Sequence, residues 1–175
     1  RTVIMTLPAS TTSRLVLSGD SAGGALAAGL AALTAGTPVR PKGLMLLSPW
    51  LDLTVESPSY RENTSSDPLF SAPSAREAAA LYLQGLSPNH TLASPLLGSV
   101  ENFPPTFLNV GTGEVLADDA RRLHKKLLAA GIYSQLQIVE EMEHVAVTRG
   151  LALPGAGETF EALDAFVDSV LVSKI

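Results

Sequence analysis

The sequence lacks cysteine and is poor in basic residues. Because none of its 175 residues is a cysteine, a disulfide framework and every cysteine-based metal or redox site are excluded. Only 12 residues are Lys or Arg, against 17 Asp and Glu, and the resulting net charge is −5. Such a chain offers no basic footprint for a phosphate backbone, so nucleic-acid binding is not expected.

The sequence also lacks a hydrophobic run long enough to cross a membrane. Its longest low-polarity stretch, residues 23–36, is built almost entirely of Gly, Ala and Leu. A bilayer requires about 20 apolar residues, so no membrane span is predicted. The stretch suits instead a buried helix that packs closely on a sheet. With 46% hydrophobic residues, the chain is long enough for one domain with a sizeable core.

Short apolar runs alternate with helical patterns along the chain. The predicted strands lie at residues 14–18, 43–48, 106–110 and 135–139, and the predicted helices at residues 22–35, 74–86, 117–130 and 158–172. This alternation is typical of an α/β fold with a parallel sheet. Residues 51–103 interrupt the rhythm with many Pro, Ser and Asn residues. We interpret this segment as an excursion between two strands near the substrate site.

A Gly-Asp-Ser-Ala-Gly motif occupies residues 19–23, between a predicted strand and a predicted helix. It matches the Gly-x-Ser-x-Gly nucleophile elbow, in which a sharp turn exposes the serine at the carboxyl edge of the sheet. Ser21 is therefore the candidate nucleophile, and the backbone N–H of Ala22 is the candidate oxyanion donor. The alternative is an ordinary glycine-rich turn with an N-cap serine, which the strand–turn–helix context disfavours.

A serine nucleophile requires a general base, and the sequence contains only three histidines. His144 follows the fourth predicted strand, in a turn at the carboxyl edge of the sheet. His124 lies on the charged side of a predicted helix, and His90 lies in the excursion. Position in the predicted fold therefore selects His144 as the candidate base.

Three acidic residues follow the third predicted strand closely enough to orient the base. Glu114 lies in the loop directly after that strand, where its side chain can reach the histidine. Asp118 and Asp119 begin the next helix, and capping of the helix explains both of them. Glu114 is the preferred acid and Asp118 the second choice. The chain order of serine, acid and histidine is that of α/β-hydrolases.

Five motifs, in the family's order and spacing, resemble the hormone-sensitive-lipase-like esterase family of α/β-hydrolases. They are Gly-Asp-Ser-Ala-Gly-Gly at 19–24, Leu-Ser-Pro-Trp-Leu-Asp at 47–52, Ser-Pro-Leu at 94–96, Val-Gly-Thr-Gly-Glu-Val-Leu-Ala-Asp-Asp at 110–119 and Glu-His-Val at 143–145. The resemblance implies an α/β-hydrolase fold and makes Glu114 the acid of a triad with Ser21 and His144. It also implies hydrolysis of small-molecule esters with short or medium acyl chains, without a metal or organic cofactor.

One family motif has no counterpart in the sequence. The family carries a His-Gly-Gly-Gly loop upstream of the elbow, which supplies further oxyanion donors, and the 175 residues contain no such motif. We therefore expect residues 1–175 to form a partial catalytic domain. This part comprises the C-terminal half of the parallel sheet, with about four strands and flanking helices, and lacks the N-terminal strands and cap. The N-terminal portion with the oxyanion loop is then expected as a separate chain or as sequence outside these 175 residues.

The expected function is a serine carboxylic-ester hydrolase that works through an acyl-enzyme. Two alternatives stay open. An acyltransferase or lyase can use the same triad, because the exclusion of water depends on the pocket and not on the triad. A non-enzymatic α/β-hydrolase that binds a small molecule is the other alternative. Receptors of that type tend to lose the base, and His144 is present.

Overall fold

The computed structural model describes residues 14–34 and 36–172. In that part of the chain, four strands form one parallel sheet in the order β1-β2-β3-β4. They are β1 (Val16–Asp20), β2 (Gly43–Leu47), β3 (Thr106–Gly111) and β4 (Ser134–Val139). The predicted α/β architecture with a parallel sheet is confirmed. The first strand differs from its predicted bounds, because it begins at Val16 and runs to Asp20 without an intervening turn.

Helices fill the segments between and after the strands. They are α1 (Ser21–Leu33), α2 (Ser59–Glu62), α3 (Ala72–Leu83), α4 (Ala117–Ala129), α5 (Ala146–Arg149) and α6 (Ala156–Leu171). The excursion between β2 and β3 contains α2, α3 and a 3-10 turn at Pro95–Leu97. None of the helices in the described residues is long and apolar enough to span a membrane.

The sheet lies between two layers of helices. On one face, α1 and α4 pack against the strands through a cluster that includes Ala28, Leu108 and Leu123. On the other face, α6 packs through a cluster that includes Phe107 and Phe166. All six residues of β3 are buried, as expected of a strand covered on both faces.

Helix α1 approaches the sheet closely because the residues that it buries are small. They are Gly24, Ala27, Ala28, Gly29 and Ala31. A Cβ atom on Gly24 would lie 2.8 Å from the Cβ of Pro49, in the segment after β2. The predicted close packing of this helix is confirmed, and it fixes the first turn of α1 against that segment.

The carboxyl ends of all four strands share one edge of the sheet. In the register, Asp20 pairs with Leu47 and Gly111 pairs with Val139, and all pairings are parallel. The chain segments that follow the strands therefore begin side by side. In open α/β sheets this edge is where ligands bind, and here it brings the candidate site residues together.

Candidate active site

The candidate nucleophile lies in a sharp strand-to-helix turn. Ser21 directly follows β1 and is the first residue of α1. Its φ angle is +50°, a left-handed conformation that costs a non-glycine residue energy. Gly19 makes the turn possible, since a Cβ atom there would lie 2.1 Å from the carbonyl oxygen of Gly23. The local structure is therefore that of a nucleophile elbow.

The candidate base is within hydrogen-bond distance of this serine. His144 lies between β4 and α5, and its Nε2 is 2.9 Å from Ser21 Oγ. The ring of Phe70 stacks on the imidazole, with centroids 6.1 Å apart and planes inclined by 14°. The histidine side chain is only 12% exposed. It is thus held in a partly apolar setting with one ring nitrogen directed to the hydroxyl.

The carboxylate of Glu114 binds the other ring nitrogen of the histidine. Its Oε2 is 2.7 Å from His144 Nδ1. Its Oε1 accepts two further hydrogen bonds, from the N–H of Gly111 and from the hydroxyl of Ser48, each at 2.7 Å. The residue is 2% exposed, so both carboxylate oxygens are satisfied by the protein. Ser21, His144 and Glu114 therefore form one continuous chain of hydrogen bonds.

The second-choice acid, Asp118, is not part of this path of hydrogen bonds. Asp118 accepts the N–H of Ser59 through Oδ2 at 3.0 Å. Its Oδ1 lies 3.2 Å from a guanidinium nitrogen of Arg121, in the next turn of α4. The structure thus brings Glu114, and not Asp118, to His144.

The prediction that Asp118 and Asp119 cap α4 is wrong. The N-cap residue of α4 is Leu116, which offers no capping side chain, and the N–H of Asp118 donates instead to Ser59 Oγ at 3.3 Å. Asp119 is fully buried, and its Oδ2 accepts the N–H groups of Leu51 and Asp52 at 2.7 and 3.0 Å. Burial is the main cause that raises the pKa of Asp119 to about 7. Its role is to tie α4 to the segment after β2.

The candidate oxyanion donor lies next to the nucleophile. Ala22 is the second residue of α1 and is exposed. The first four N–H groups of a helix have no acceptor within the helix, so the N–H of Ala22 remains available. The positive end of the helix dipole adds to the attraction for negative charge at this point.

An apolar groove of about 320 Å³ adjoins the elbow. We use this name for the cavity lined by Ala22, Ala25, Leu26, Trp50, Leu53, Ala78, Tyr82, Leu92 and Ala93. None of the lining residues is charged, and the four alanines leave the space open. One lining residue is bound directly to the elbow, because the N–H of Trp50 donates to the carbonyl oxygen of Ser21 at 3.0 Å.

Sequence reasoning missed Ser48, although its hydroxyl contacts the candidate acid. The residue directly follows β2, so its position at the carboxyl end of a predicted strand was the available signal. A serine in an apolar motif carries no chemical signature of its own. The partner that gives it a role, Glu114, is 66 positions away in the sequence.

The other two histidines lie outside the site. His124 Nδ1 is 2.9 Å from the hydroxyl of Ser134, at the amino end of β4. His90 accepts the N–H of Leu92 in the excursion. Within residues 14–34 and 36–172, no three His, Asp or Glu side chains are arranged to hold a metal ion.

The fold and the site together define an α/β-hydrolase. A family model described as the alpha/beta hydrolase fold matches residues 7–148, and the chain belongs to this family. It is 40% identical over 156 residues to an acetyl-hydrolase of Streptomyces hygroscopicus, and the match covers 88% of this chain and 52% of the relative. It is 37% identical over 120 residues to an esterase of Acinetobacter venetianus, and this match covers 67% of this chain and 40% of the relative.

Solved structures place the chain closer to one group within that family. The crystal structure of an esterase from the bacterial hormone-sensitive lipase family has a TM-score of 0.87 and 35% sequence identity to this chain. The match covers 93% of this chain and 55% of the other. The resemblance to hormone-sensitive-lipase-like esterases is confirmed. The chain spans about half the length of the relatives that it matches.

Proposed function

We propose that this chain is the catalytic portion of a serine carboxylic-ester hydrolase. Ser21 is the nucleophile, His144 the general base and Glu114 the acid that orients the base. The proposal rests on the hydrogen-bond path from Ser21 Oγ to His144 Nε2, at 2.9 Å, and from His144 Nδ1 to Glu114 Oε2, at 2.7 Å. Relatives named acetyl-hydrolase and esterase support the same reaction class.

The first half-reaction transfers the acyl group to the enzyme. Ser21 Oγ attacks the ester carbonyl carbon while His144 Nε2 accepts the hydroxyl proton. Glu114 holds the tautomer in which Nε2 is free and stabilises the imidazolium that forms. The N–H of Ala22 donates to the oxyanion of the tetrahedral intermediate. The imidazolium then protonates the leaving alcohol, and the acyl group remains on Ser21.

The second half-reaction frees the enzyme. A water molecule takes the place of the alcohol, and His144 removes one of its protons as the oxygen attacks the acyl carbon. The second tetrahedral intermediate collapses when the imidazolium returns the proton to Ser21 Oγ. The carboxylic acid leaves, and the hydrogen-bond path of the resting site is restored.

We assign the two halves of the ester to opposite sides of Ser21. The leaving alcohol must receive its proton from His144, so the alcohol lies on the side of the histidine. The acyl chain then extends past Ala22 into the apolar groove. A cavity of about 320 Å³ without a charged lining residue suits a short or medium acyl chain.

We also assign further oxyanion donors to a glycine-rich segment outside the 175 residues. The sequence contains no His-Gly-Gly-Gly motif, and the chain covers 52% of the acetyl-hydrolase. Loss of one oxyanion donor typically lowers the rate by about a hundredfold or more. We therefore expect residues 1–175 alone to be slower than the complete polypeptide by at least that factor.

The decisive test is Ser21→Ala in the complete polypeptide that carries this sequence. We expect hydrolysis of p-nitrophenyl butyrate to fall by at least about a thousandfold, because no other group takes over the nucleophilic attack. A fluorophosphonate should label Ser21, as located by mass spectrometry. Ser65→Ala, at an exposed position, is the matched control and should keep full activity. Full activity in Ser21→Ala would exclude the mechanism, and product analysis with added alcohol separates hydrolysis from acyl transfer.

A second experiment tests the assignment of the acyl chain. Ala25→Leu fills part of the apolar groove, so we expect the ratio of kcat/KM for octanoate to that for acetate esters to fall by about tenfold. Ala80→Leu, on the exposed side of α3, is the control and should leave the ratio unchanged. An equal ratio in both variants would place the acyl chain elsewhere.

A further inference from the structure

Ser48 occupies a buried and conformationally restricted position beside the site. It directly follows β2 and is 0% exposed. Its φ angle is +43°, and its N–H donates to the carbonyl oxygen of Asn109 on β3 at 2.7 Å. A serine held in the left-handed region without solvent contact is maintained by its surroundings at an energetic cost.

The hydroxyl of Ser48 makes two hydrogen bonds whose directions are fixed. The N–H of Val145 can only donate, and it lies 3.1 Å from Ser48 Oγ. The single hydroxyl proton is therefore directed to Oε1 of Glu114, at 2.7 Å. One side chain thus holds the carboxylate that follows β3 and the backbone that follows β4.

The second of these contacts acts directly on the loop that carries the base. Val145 is the residue after His144 and has a φ angle of +49°. Its N–H anchors the backbone adjacent to the imidazole, while the hydroxyl proton holds Oε1 of the carboxylate whose Oε2 contacts Nδ1. Loss of the hydroxyl removes both restraints at once. Of the two hydrogen bonds that Glu114 Oε1 accepts, only the one from the N–H of Gly111 would then remain.

We propose that Ser48 is a positioning residue of the triad, which uses one hydroxyl to hold the acid and the base loop in their mutual geometry. The inference rests on the proposed esterase function and deepens it. A hydrogen bond to a charged group contributes enough that its loss corresponds to about tenfold to hundredfold in rate. That loss should appear in kcat and not in KM, because Ser48 does not line the apolar groove.

The test compares three serine variants of the complete polypeptide. Ser48→Ala removes the hydroxyl, and Ser48→Gly removes it while relieving the left-handed strain. Ser94→Ala is the matched control, because Ser94 is also 0% exposed and its hydroxyl also makes two hydrogen bonds, to Leu53 N–H and Pro88 carbonyl oxygen. Neither of these partners is hydrogen-bonded to Glu114 or His144. Leu53 lines the apolar groove, so a change in Ser94→Ala that is confined to KM reports on the groove and not on the triad.

We expect both Ser48 variants to lose about tenfold to hundredfold in kcat for p-nitrophenyl butyrate, with KM changed by less than about threefold. The downfield proton resonance of His144 Nδ1 should shift or broaden in both variants. In Ser94→Ala, kcat and this resonance should match the wild type even if the melting temperature falls. If Ser48→Ala does not fold, Ser48→Gly carries the comparison.

Two results would overturn the proposal. One is wild-type kcat in a folded Ser48 variant, and the other is an equal loss of kcat in Ser94→Ala. Failure of the esterase function itself is seen separately, because Ser21→Ala would then keep its activity.

Discussion

Left-handed backbone conformations surround the candidate site at the level of single residues. Ser21, Ser48 and Val145 have φ angles of +50°, +43° and +49°. Each such residue costs of the order of 1–3 kcal/mol, and the surrounding contacts must offset that cost. The contacts are present, since the three residues are linked through Glu114 and His144 by hydrogen bonds. The site is thus a strained cluster held in place by its own polar network.

The elbow makes one glycine irreplaceable. In Gly19→Ala the new Cβ would lie 2.1 Å from the carbonyl oxygen of Gly23, so the backbone must move. We expect a loss of about 3 kcal/mol in the free energy of unfolding, measured by urea denaturation, and a loss of esterase activity. Gly29→Ala is the control, because its Cβ meets only ordinary contacts at 3.5 Å. In a helix that change should stabilise by about 0.5–1 kcal/mol. Equal stability of the two variants would contradict this account.

At the scale of elements, Asp119 joins the start of α4 to the segment after β2. The N–H groups of Leu51 and Asp52 donate to its carboxylate, which takes the place of the backbone carbonyl acceptors of a helix or strand. A second link forms nearby, where Arg122 of α4 lies 2.8 Å from Asp52. These contacts hold the segment after β2, which carries Trp50 of the apolar groove. A helix on one face of the sheet therefore sets the shape of the groove at its edge.

The buried Asp119 should make stability depend on pH. Its pKa rises from 3.8 to about 7 on folding, so the native state binds the proton more tightly. The contribution of this group to the free energy of unfolding is therefore greatest below pH 4 and is lost as the pH rises towards 7.

Urea denaturation of Asp119→Asn between pH 5 and pH 8 tests this dependence. Asparagine has no such proton, so the free energy of unfolding of the variant relative to wild type should rise from pH 5 to about pH 7 and then level off. The exposed Asp164→Asn removes the same charge from α6 and reports the general effect of net charge. A difference that is constant across this range for Asp119→Asn would contradict the burial argument.

The sequence was sufficient to predict the elements of the sheet. Strands β2, β3 and β4 lie within one residue of their predicted ends, because apolar runs bounded by Pro, Gly and polar residues leave little choice. The first strand is predicted two residues early, because Gly19 and Asp20 resemble turn residues. At an edge of the described sheet, the exposed polar side chain of Asp20 is tolerated within the strand.

The candidate site was predictable only where a motif carries its own geometry. Ser21, Glu114 and His144 lie in the segments that follow β1, β3 and β4, and the parallel sheet brings such segments to one edge. The function of Asp119 was not predictable, because its partners are backbone N–H groups 67 and 68 positions away. Every residue type except proline has a backbone N–H, so the sequence holds no sign of which ones Asp119 binds.

At the scale of the whole molecule, the sheet contributes side chains to two apolar clusters, one on each of its faces. On the side of α6, Phe107 of the fully buried strand β3 meets Phe166, with ring centroids 5.8 Å apart. On the other side, Leu108 belongs to the cluster beneath α1 and α4. Removal of a large side chain from β3 should therefore lower the free energy of unfolding of the entire fold.

We expect Phe107→Ala to lower the free energy of unfolding by about 3–5 kcal/mol, because Phe107 is 0% exposed and its loss leaves a cavity. Phe160→Ala is the matched control, since Phe160 on α6 is 53% exposed. Its effect should stay within about 0.5 kcal/mol. Chemical denaturation of both variants measures the difference. Similar values would mean that the packing between β3 and α6 contributes little to stability.

The length of chain between the hydrogen-bonded partners has a consequence for how the molecule folds. Ser21 and His144 are 123 positions apart, and Ser48 and Glu114 are 66 apart. Parallel strands joined by long crossovers form slowly, because the entropy of closing each loop is lost before the contacts are gained. The hydroxyl, the imidazole and the carboxylate meet only when β1 to β4 have all paired. During refolding, the return of catalysis should therefore lag behind the return of helical circular dichroism.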